Sequence, residues 1–532
     1  MNYDNYVEAC LHIARELQLR KDLSTKDIFK IIKSASSKFK LSTIPRNEDI
    51  LSYLTTNDRY RYVLLVKPTK TASGIAVITV MPKPYDCPHG RCIYCPGGAE
   101  YNTPMSYVGT EPATRIAQSV DFDPYLQVKS KLEQLHRRGH NISKIELVIV
   151  GGTFPFMPET YQKDFVKSCY DALNDCQSST LENALKTNEQ ATNRCVGLTV
   201  ETKPDYCKEK QIDLMLEMGV TRVEIGIQAL DDNVYRLVNR GHTLLDVRES
   251  FKLSRDAGYK IVGHMMPGLP GSTPEKDIDN IKMLFENPDF KPDMLKIYPT
   301  LVLQGTGLYK LLKNGQYAPY SEDDIVNILM EVKKIIPPWV RIMRIQREIE
   351  PADIVNGNRR GNIRQIVLKK LKDDGIFCKC IRCREPMMRR NMFESYQDIK
   401  LSRIDFLASG GKEVFLSMES KDNKIIFGFL RLRNILNPRR KELQDNSIAL
   451  NATAIIRELH VYGKLIDVGQ KNDNGYYQHK GLGLRLMQEA EKISKEEFCV
   501  NKISVISAVG TREYYKKIGY IQNGPYVTKS LV

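Results

Sequence analysis

Between residues 70 and 335, short apolar runs alternate with longer stretches of helical period, and nothing else limits the fold so tightly. Candidate strands are 75–80, 145–150, 196–201, 223–228, 261–266 and 295–299. Candidate helices lie between them at 123–138, 158–173, 208–218, 243–257 and 273–285. The last opens on Thr273 and Pro274, a cap residue followed by proline at the first helical position. Repeated strand–helix units predict an α/β fold with a parallel sheet, open or barrel-like. Ligands in such sheets sit at the carboxyl ends of the strands, and the chemically unusual residues fall there. Three cysteines follow the first strand and Gly151-Gly152-Thr153 follows the second. The third ends in Glu201-Thr202-Lys203 and the fourth carries Gln228; the fifth offers His264 and the sixth Lys296 and Tyr298.

The three cysteines are Cys87, Cys92 and Cys95, within nine residues. Disulfides would leave one thiol over, and a structural zinc normally takes four ligands. Three thiols suit a [4Fe–4S] cluster whose fourth iron stays open to bind and reduce a small molecule. A second cluster, Cys378, Cys380 and Cys383, lies in a stretch rich in Arg and Lys. It suggests a structural zinc site with a distant fourth ligand, the alternative being free thiols. Half of the 12 cysteines fall in these two clusters, which reads as metal ligation in a reducing compartment, the cytoplasm. No apolar run approaches the ~18 residues that span a bilayer, and the N-terminus shows no secretory pattern.

At 532 residues the chain is too long for one ordinary core. Its net charge of +15 favours a polyanionic partner such as nucleic acid, although a basic surface alone would look the same. Residues 1–65 read as a small helical unit, with Ser24 and Asp27 as a capping-box-like start. Ile28, Ile31, Ile32, Ala35 and Phe39 gather on one side of that helix; Lys26, Lys30, Lys33 and Lys40 gather on the other. The lysine face suits a phosphate backbone or is simply solvated. Arg341, Arg344, Arg347, Arg359, Arg360 and Arg364 form a second basic strip. They fall in a segment, 337–390, that reads as a linker between a sheet domain at 66–336 and a C-terminal domain at 391–532.

The C-terminal domain offers strands at 425–432, 454–461 and 503–508. Gln478-His479-Lys480-Gly481-Leu482-Gly483 opens a long helix. Glycines here let backbone N–H groups approach a pyrophosphate, and the helix N-terminus adds positive potential. Tyr514 and Tyr515 follow downstream, either near a reacting carbonyl or merely packed.

The cysteine triplet, Gly151-Gly152-Thr153, Glu201-Thr202-Lys203-Pro204-Asp205 and the run from Lys296 to Leu301 resemble the radical S-adenosylmethionine (SAM) domain of the Elongator catalytic subunit family. The likeness runs over essentially the whole chain. It implies a partial, TIM-like barrel of six strand–helix units, with SAM at the open iron of the [4Fe–4S] cluster. Gly151 and Gly152 would line the methionine side, with Glu201 and Gln228 as polar contacts. The Gly-rich turn and tyrosine pair are similar to the acetyl-CoA site of GNAT-type acetyltransferases. Lys480, Gly481 and Gly483 would meet the pyrophosphate, and Tyr514 and Tyr515 the thioester. The family's zinc-binding linker matches the second cysteine cluster.

The resemblance further implies a tRNA uridine carboxymethyltransferase. A SAM-derived radical takes hydrogen from the acetyl group of acetyl-CoA. The carbon adds to C5 of the wobble uridine in a tRNA anticodon stem-loop, and thioester hydrolysis leaves a carboxymethyl group. Lys203, Lys296 and Tyr298 would hold the uridine or SAM. Self-association or Elongator-type accessory subunits are the protein partners it brings into view. One departure stands: Cys87 and Cys92 enclose four residues, where most radical SAM loops enclose three. Two rivals remain open from the residues, a protein lysine acetyltransferase with a structural iron–sulfur domain and a tRNA-binding scaffold with degenerate sites.

Overall fold

The structure, a computed structural model, describes residues 3–20, 22–55, 60–71, 73–389, 399–448, 451–462 and 481–532. Near the N-terminus, helices Tyr3–Leu19, Thr25–Lys38 and Asn47–Leu51 close a small core around Ile13, Leu17, Ile28, Ile32 and Ile50. The expected capping box forms: the Ser24 side chain accepts from Asp27 N, and the Asp27 carboxylate accepts from Ser24 N. Lys26, Lys30 and Lys33 stand on the solvent side, and Lys40 follows the helix at φ 51°.

The central unit is built on β1 (Ala76–Val80), β2 (Lys144–Ile149), β3 (Arg194–Thr202), β4 (Arg222–Gln228), β5 (Lys260–Met265) and β6 (Met294–Ile297). After a two-residue strand β7 (Val302–Leu303) comes β8 (Arg341–Arg344), and β9 (Ile354–Asn356) then pairs with β7. One seven-stranded sheet runs β1-β2-β3-β4-β5-β6-β8 with every neighbouring pair parallel. Its edge strands β1 and β8 do not pair, so the barrel is a partial one. All six expected strands are present, displaced by at most two residues at either end. The seventh is an addition. It falls in the stretch read as linker, because a four-residue strand bounded by Arg341 and Arg344, with only Ile342 buried, carries no strand signal.

The C-terminal sheet contains β10 (Ile399–Ala408), β11 (Gly411–Ser420), β12 (Ile426–Ile435), β13 (Thr453–Val461), β14 (Lys502–Val505), β15 (Ile521–Asn523) and β16 (Tyr526–Ser530), in the order β10-β11-β12-β13-β14-β16-β15. Only β13 and β14 run parallel; the other neighbouring pairs are antiparallel. Their pairing stops at Ile456↔Val505, while β13 continues to Val461 along β12. A gap therefore opens between them, and helix Leu482–Glu496 packs beside it.

The C-terminal sheet docks on the floor of the barrel, at the amino ends of its strands. Arg457 donates to Asp293 (2.7 Å), to Glu413 (2.8 Å) and to the Tyr259 carbonyl (2.8 Å). Arg433 bonds Asp256 at 2.6 Å and Arg431 bonds the Trp339 carbonyl at 2.8 Å. Four arginines of this seam, Arg255, Arg431, Arg433 and Arg457, are at most 1% exposed. Ile455, Ile506, Val509 and Tyr526 join the apolar core of the barrel, so the two sheets share one interior.

Candidate active site

The loop after β1 carries the three cysteines into the barrel mouth. Each sulfur meets a different neighbour. Cys87 lies 3.9 Å from the Thr153 hydroxyl and Cys95 3.3 Å from that of Ser106. Cys92 meets His89 Nε2 at 3.2 Å and Arg240 Nη1 at 3.7 Å. Arg240 is held in turn by the Gly226 carbonyl at 2.7 Å. The four-residue gap between Cys87 and Cys92 thus has a local role: Gly90, at φ 82°, closes a turn onto the Cys87 carbonyl that carries His89 to the sulfur. Burial pushes the Cys95 thiol up to about 12 and raises Cys87 as well, so these are protonated thiols until a metal displaces the protons. The three sulfurs do not gather within 4.8 Å of one another, as single-ion ligands would. That spread fits a multi-iron cluster, in which each thiolate meets its own iron.

Around the mouth stand the other strand-end residues. Gly151 and Gly152 take φ 116° and 96°, and a Cβ on Gly152 would lie 3.3 Å from Tyr85 Oη, so both positions need glycine. Gly151 N donates to Glu201 at 3.4 Å. Gln228 sits at φ 74° where the β4–β5 register shifts, and its buried Oε1 has no partner. Such an orphaned acceptor in a cavity wall is a ligand contact in waiting. Lys203 is buried with its Nζ 3.2 Å from Asp205; burial, then the Arg240 charge, lowers its pKa.

Glu224, which the sequence reading missed, ties this wall together. It accepts from Lys296 and meets His264 Nε2 at 3.0 Å. His264 also approaches Glu201 at 3.6 Å, and Tyr298 packs edge-on against the His264 ring. Burial alone would raise the Glu224 carboxyl, but Lys296 and His264 outweigh it and hold it well below the usual range. Burial likewise opposes the Lys296 charge, and Glu224 reverses the effect. Arg240 was missed too, having no local signal.

In the C-terminal domain, Gly481 caps helix Leu482–Glu496 at φ 75°. A Cβ on Gly483 would lie 3.1 Å from Tyr514 Oη, so the missing side chain there keeps the backbone open, while Gly481 faces open space and needs glycine only for its φ. Tyr514 is 40% exposed, whereas Tyr515 is 6% exposed and packs in the core against Tyr520. Gln478, His479 and Lys480 lie outside the described residues.

One cavity of about 1250 Å³ runs from Cys87, Cys92 and Cys95 through the bore of the barrel to Gly481, Gly483 and Tyr514. The second cysteine cluster stands apart. Cys378, Cys380 and Cys383 are all buried with their sulfurs within 4.8 Å of one another, the compactness of a single-ion site. Lys333 Nζ lies 3.8 Å from Cys378 and 3.7 Å from Cys383, a buried cation that balances thiolate charge.

The basic strip divides by its partners. Arg341 bonds Glu385 at 2.7 Å, Arg347 donates to the Ser106 carbonyl, and Arg364 donates to the Met343 carbonyl at 3.1 Å. Arg344, Arg359 and Arg360 are exposed, with Arg344 and Arg360 in surface ion pairs to Glu348 and Glu322.

This geometry meets its relatives at the level of family. Residues 82–284 match the Radical SAM superfamily, 292–373 the Radical SAM C-terminal domain and 6–72 the ELP3 N-terminal domain. The chain is 46% identical to the tRNA uridine(34) acetyltransferase of Methanocaldococcus jannaschii over 92% of its own length and 90% of the relative's. It is 42% identical to Elongator complex protein 3 of Saccharomyces cerevisiae, over 99% of its length and 97% of the relative's. The chain belongs to the Elongator protein 3 family. The solved Methanocaldococcus infernus Elp3, deleted for residues 1–46, aligns with a TM-score of 0.76 at 42% identity, covering 86% of this chain and 100% of that one. A radical SAM family member implies a [4Fe–4S] cluster and SAM, and Cys87, Cys92 and Cys95 fit that cluster. No helix among the described residues is long and apolar enough to cross a membrane.

Proposed function

We propose that this protein modifies tRNA, adding a carboxymethyl group to C5 of the wobble uridine with acetyl-CoA as the carbon source and SAM as the radical source. The observation that carries this reading is the single cavity reaching from the three cysteines to Gly483 and Tyr514. An acetyltransferase with a merely structural iron–sulfur domain has no need of a shared interior. When bound, the cluster supplies the electron that cleaves SAM.

The chain's own residues do the rest. Gly151 and Gly152 admit SAM close to the backbone, and the free Gln228 carbonyl and Glu201 accept from its polar groups. Gly481, Leu482 and Gly483 present the start of a helix to the CoA pyrophosphate, in a GNAT-like arrangement. The Tyr514 phenol faces the cavity where the thioester would lie, and Tyr515 supports it by packing. Lys203, Lys296 and Tyr298 line the same cavity and hold the uridine or SAM. Cys378, Cys380 and Cys383 hold a structural zinc. Lys26, Lys30, Lys33 and Lys40 and the exposed Arg344, Arg359 and Arg360 supply phosphate contacts along the anticodon stem-loop.

Incubating anaerobically reconstituted protein with tRNA, SAM, acetyl-CoA and a reductant tests the reading by mass spectrometry of the digested nucleosides. Carboxymethyluridine should form with wild type and not with Cys92→Ala, whose bound iron should also fall. Its absence from a cluster-loaded sample would sink the proposal. Peptide acetylation indifferent to tRNA would favour the lysine acetyltransferase instead.

A further inference from the structure

The mouth of the barrel accounts for only part of the cavity. Lower in the bore, just above the docked C-terminal sheet, four polar side chains gather on adjacent strands. Thr199, Arg222 and Lys260 stand side by side in register across β3, β4 and β5. Thr221 sits between them, its backbone fixed by N–H donation to the Leu198 carbonyl (2.9 Å) and acceptance from Lys260 N (3.1 Å). All four line the cavity. Thr199 and Thr221 are 1% exposed and Arg222 8%, yet both hydroxyls and Arg222 Nε lack any hydrogen-bond partner. Lys260 has neither a salt bridge nor a side-chain hydrogen bond among the described residues.

Buried polar groups are nearly always satisfied, so two free hydroxyls and a free guanidinium N–H beside a half-buried lysine with no partner point to something that binds there. Its charge narrows the class. Arg222 is paired with Glu146, Glu458 with Arg431, and Arg341 with Glu385. Lys260 is left without a carboxylate partner of its own, its pKa lowered to about 8 by burial, with nearby Arg222 and Arg457 adding to the effect and Glu458 and Asp293 opposing it. One positive charge flanked by hydroxyls and a guanidinium N–H matches a small monoanion that accepts several hydrogen bonds. The place narrows it further. Leu459, His460 and Ile506 line the cavity here, at the gap between β13 and β14.

We propose that Thr199, Thr221, Arg222 and Lys260 form a seat for a small carboxylate of acetate size. The source assigned to that carboxylate rests on the proposed function. Thioester hydrolysis adds the hydroxyl of water to the carbonyl carbon and breaks the C–S bond. CoA leaves as its thiol, and a carboxylate and a proton remain. The seat receives that carboxylate, whether carried on the modified base or freed as acetate.

The test is a titration of carbon-13 acetate into the full-length protein, isolated anaerobically, followed by the acetate linewidth. Wild type should broaden the signal saturably. Lys260→Met should weaken binding at least tenfold, Thr221→Val by a smaller factor, and Lys260→Arg should retain it. Circular dichroism checks that each variant is folded; if Lys260→Met is not, Thr221→Val against Lys260→Arg decides. Equal broadening by wild type and the folded variants, or none by wild type, overturns the seat. Inorganic phosphate displacing acetate at equal concentration overturns the carboxylate assignment. Neither SAM nor tRNA is needed, so a Lys260-dependent site persists as a finding even if no carboxymethyluridine forms. Conversely, carboxymethyluridine formation with Lys260-independent acetate binding removes the seat and leaves the function.

Discussion

Glu224 shows how much can hang on one side chain. It is 1% exposed and is the shared acceptor for Lys296 and His264. Removing it strands a buried ammonium, a change that costs about 3–5 kcal/mol when one partner of a buried pair is lost. Glu224→Ala should therefore lower the thermal midpoint by several degrees, with the companion variant Glu224→Ala/Lys296→Met recovering part of the loss. Equal destabilisation by the single and double variants would refute that account. A signal for Glu224 did exist in the sequence, an acid inside the apolar run Val223–Ile227. Strand-end residues were legible because their position in a strand–helix repeat gives them a common address. Arg240, Thr221 and Lys260 were not, since each acquires meaning only from neighbours far along the chain, and His89 was missed although its partner Cys92 lies three residues on, because only the folded turn brings its ring to the sulfur.

At the scale of elements, local chemistry predicted what local chemistry controls. The Ser24–Asp27 capping box was readable and forms. Ser24→Ala should cost the helix Thr25–Lys38 ~1 kcal/mol, seen as faster amide hydrogen exchange confined to the N-terminal unit. Exchange that accelerates across the barrel as well would contradict a separate N-terminal core. The strands that escaped notice did so for a physical reason. In β11 the buried Glu413, Ser417 and Glu419 break up the apolar residues, whereas β12 and β13 were legible in spite of buried Arg431, Arg433 and Arg457. Those charges are tolerated only because they meet one another and Asp293 across the seam, which no window along a strand can reveal. Arg341 in β8 is likewise explained by Glu385, 44 residues away.

On the scale of the whole molecule, the seam sets the response to acid. Burial alone would raise Glu413, but Arg457, Arg255 and Arg433 outweigh it; Asp293 is held low against burial by Arg457 and Arg431. Glu458, beside Arg431 and Lys260, is lowered in the same way. Each carboxylate thus binds its proton less readily in the folded chain than in the unfolded one. Their stabilisation is complete above the ordinary carboxylate range near pH 4 and drains as pH falls below it. Acid unfolding should accordingly begin below about pH 4–5, and Asp293→Asn should shift its onset upward, read by tryptophan fluorescence of Trp339 at the seam. An unchanged onset would place the acid-sensitive groups elsewhere.

The buried arginines also bear on how such a protein could be taken apart. Cut loose, the C-terminal sheet would keep Glu413 and Glu458 beside Arg431, Arg433 and Arg457 but lose Asp256 and Asp293, leaving buried guanidinium charge short of carboxylates, and the barrel would expose Asp293 and Arg255 on its underside. Neither half is a transplantable cassette. A chimaera between family members should stay soluble only when the barrel floor and the sheet face are exchanged together.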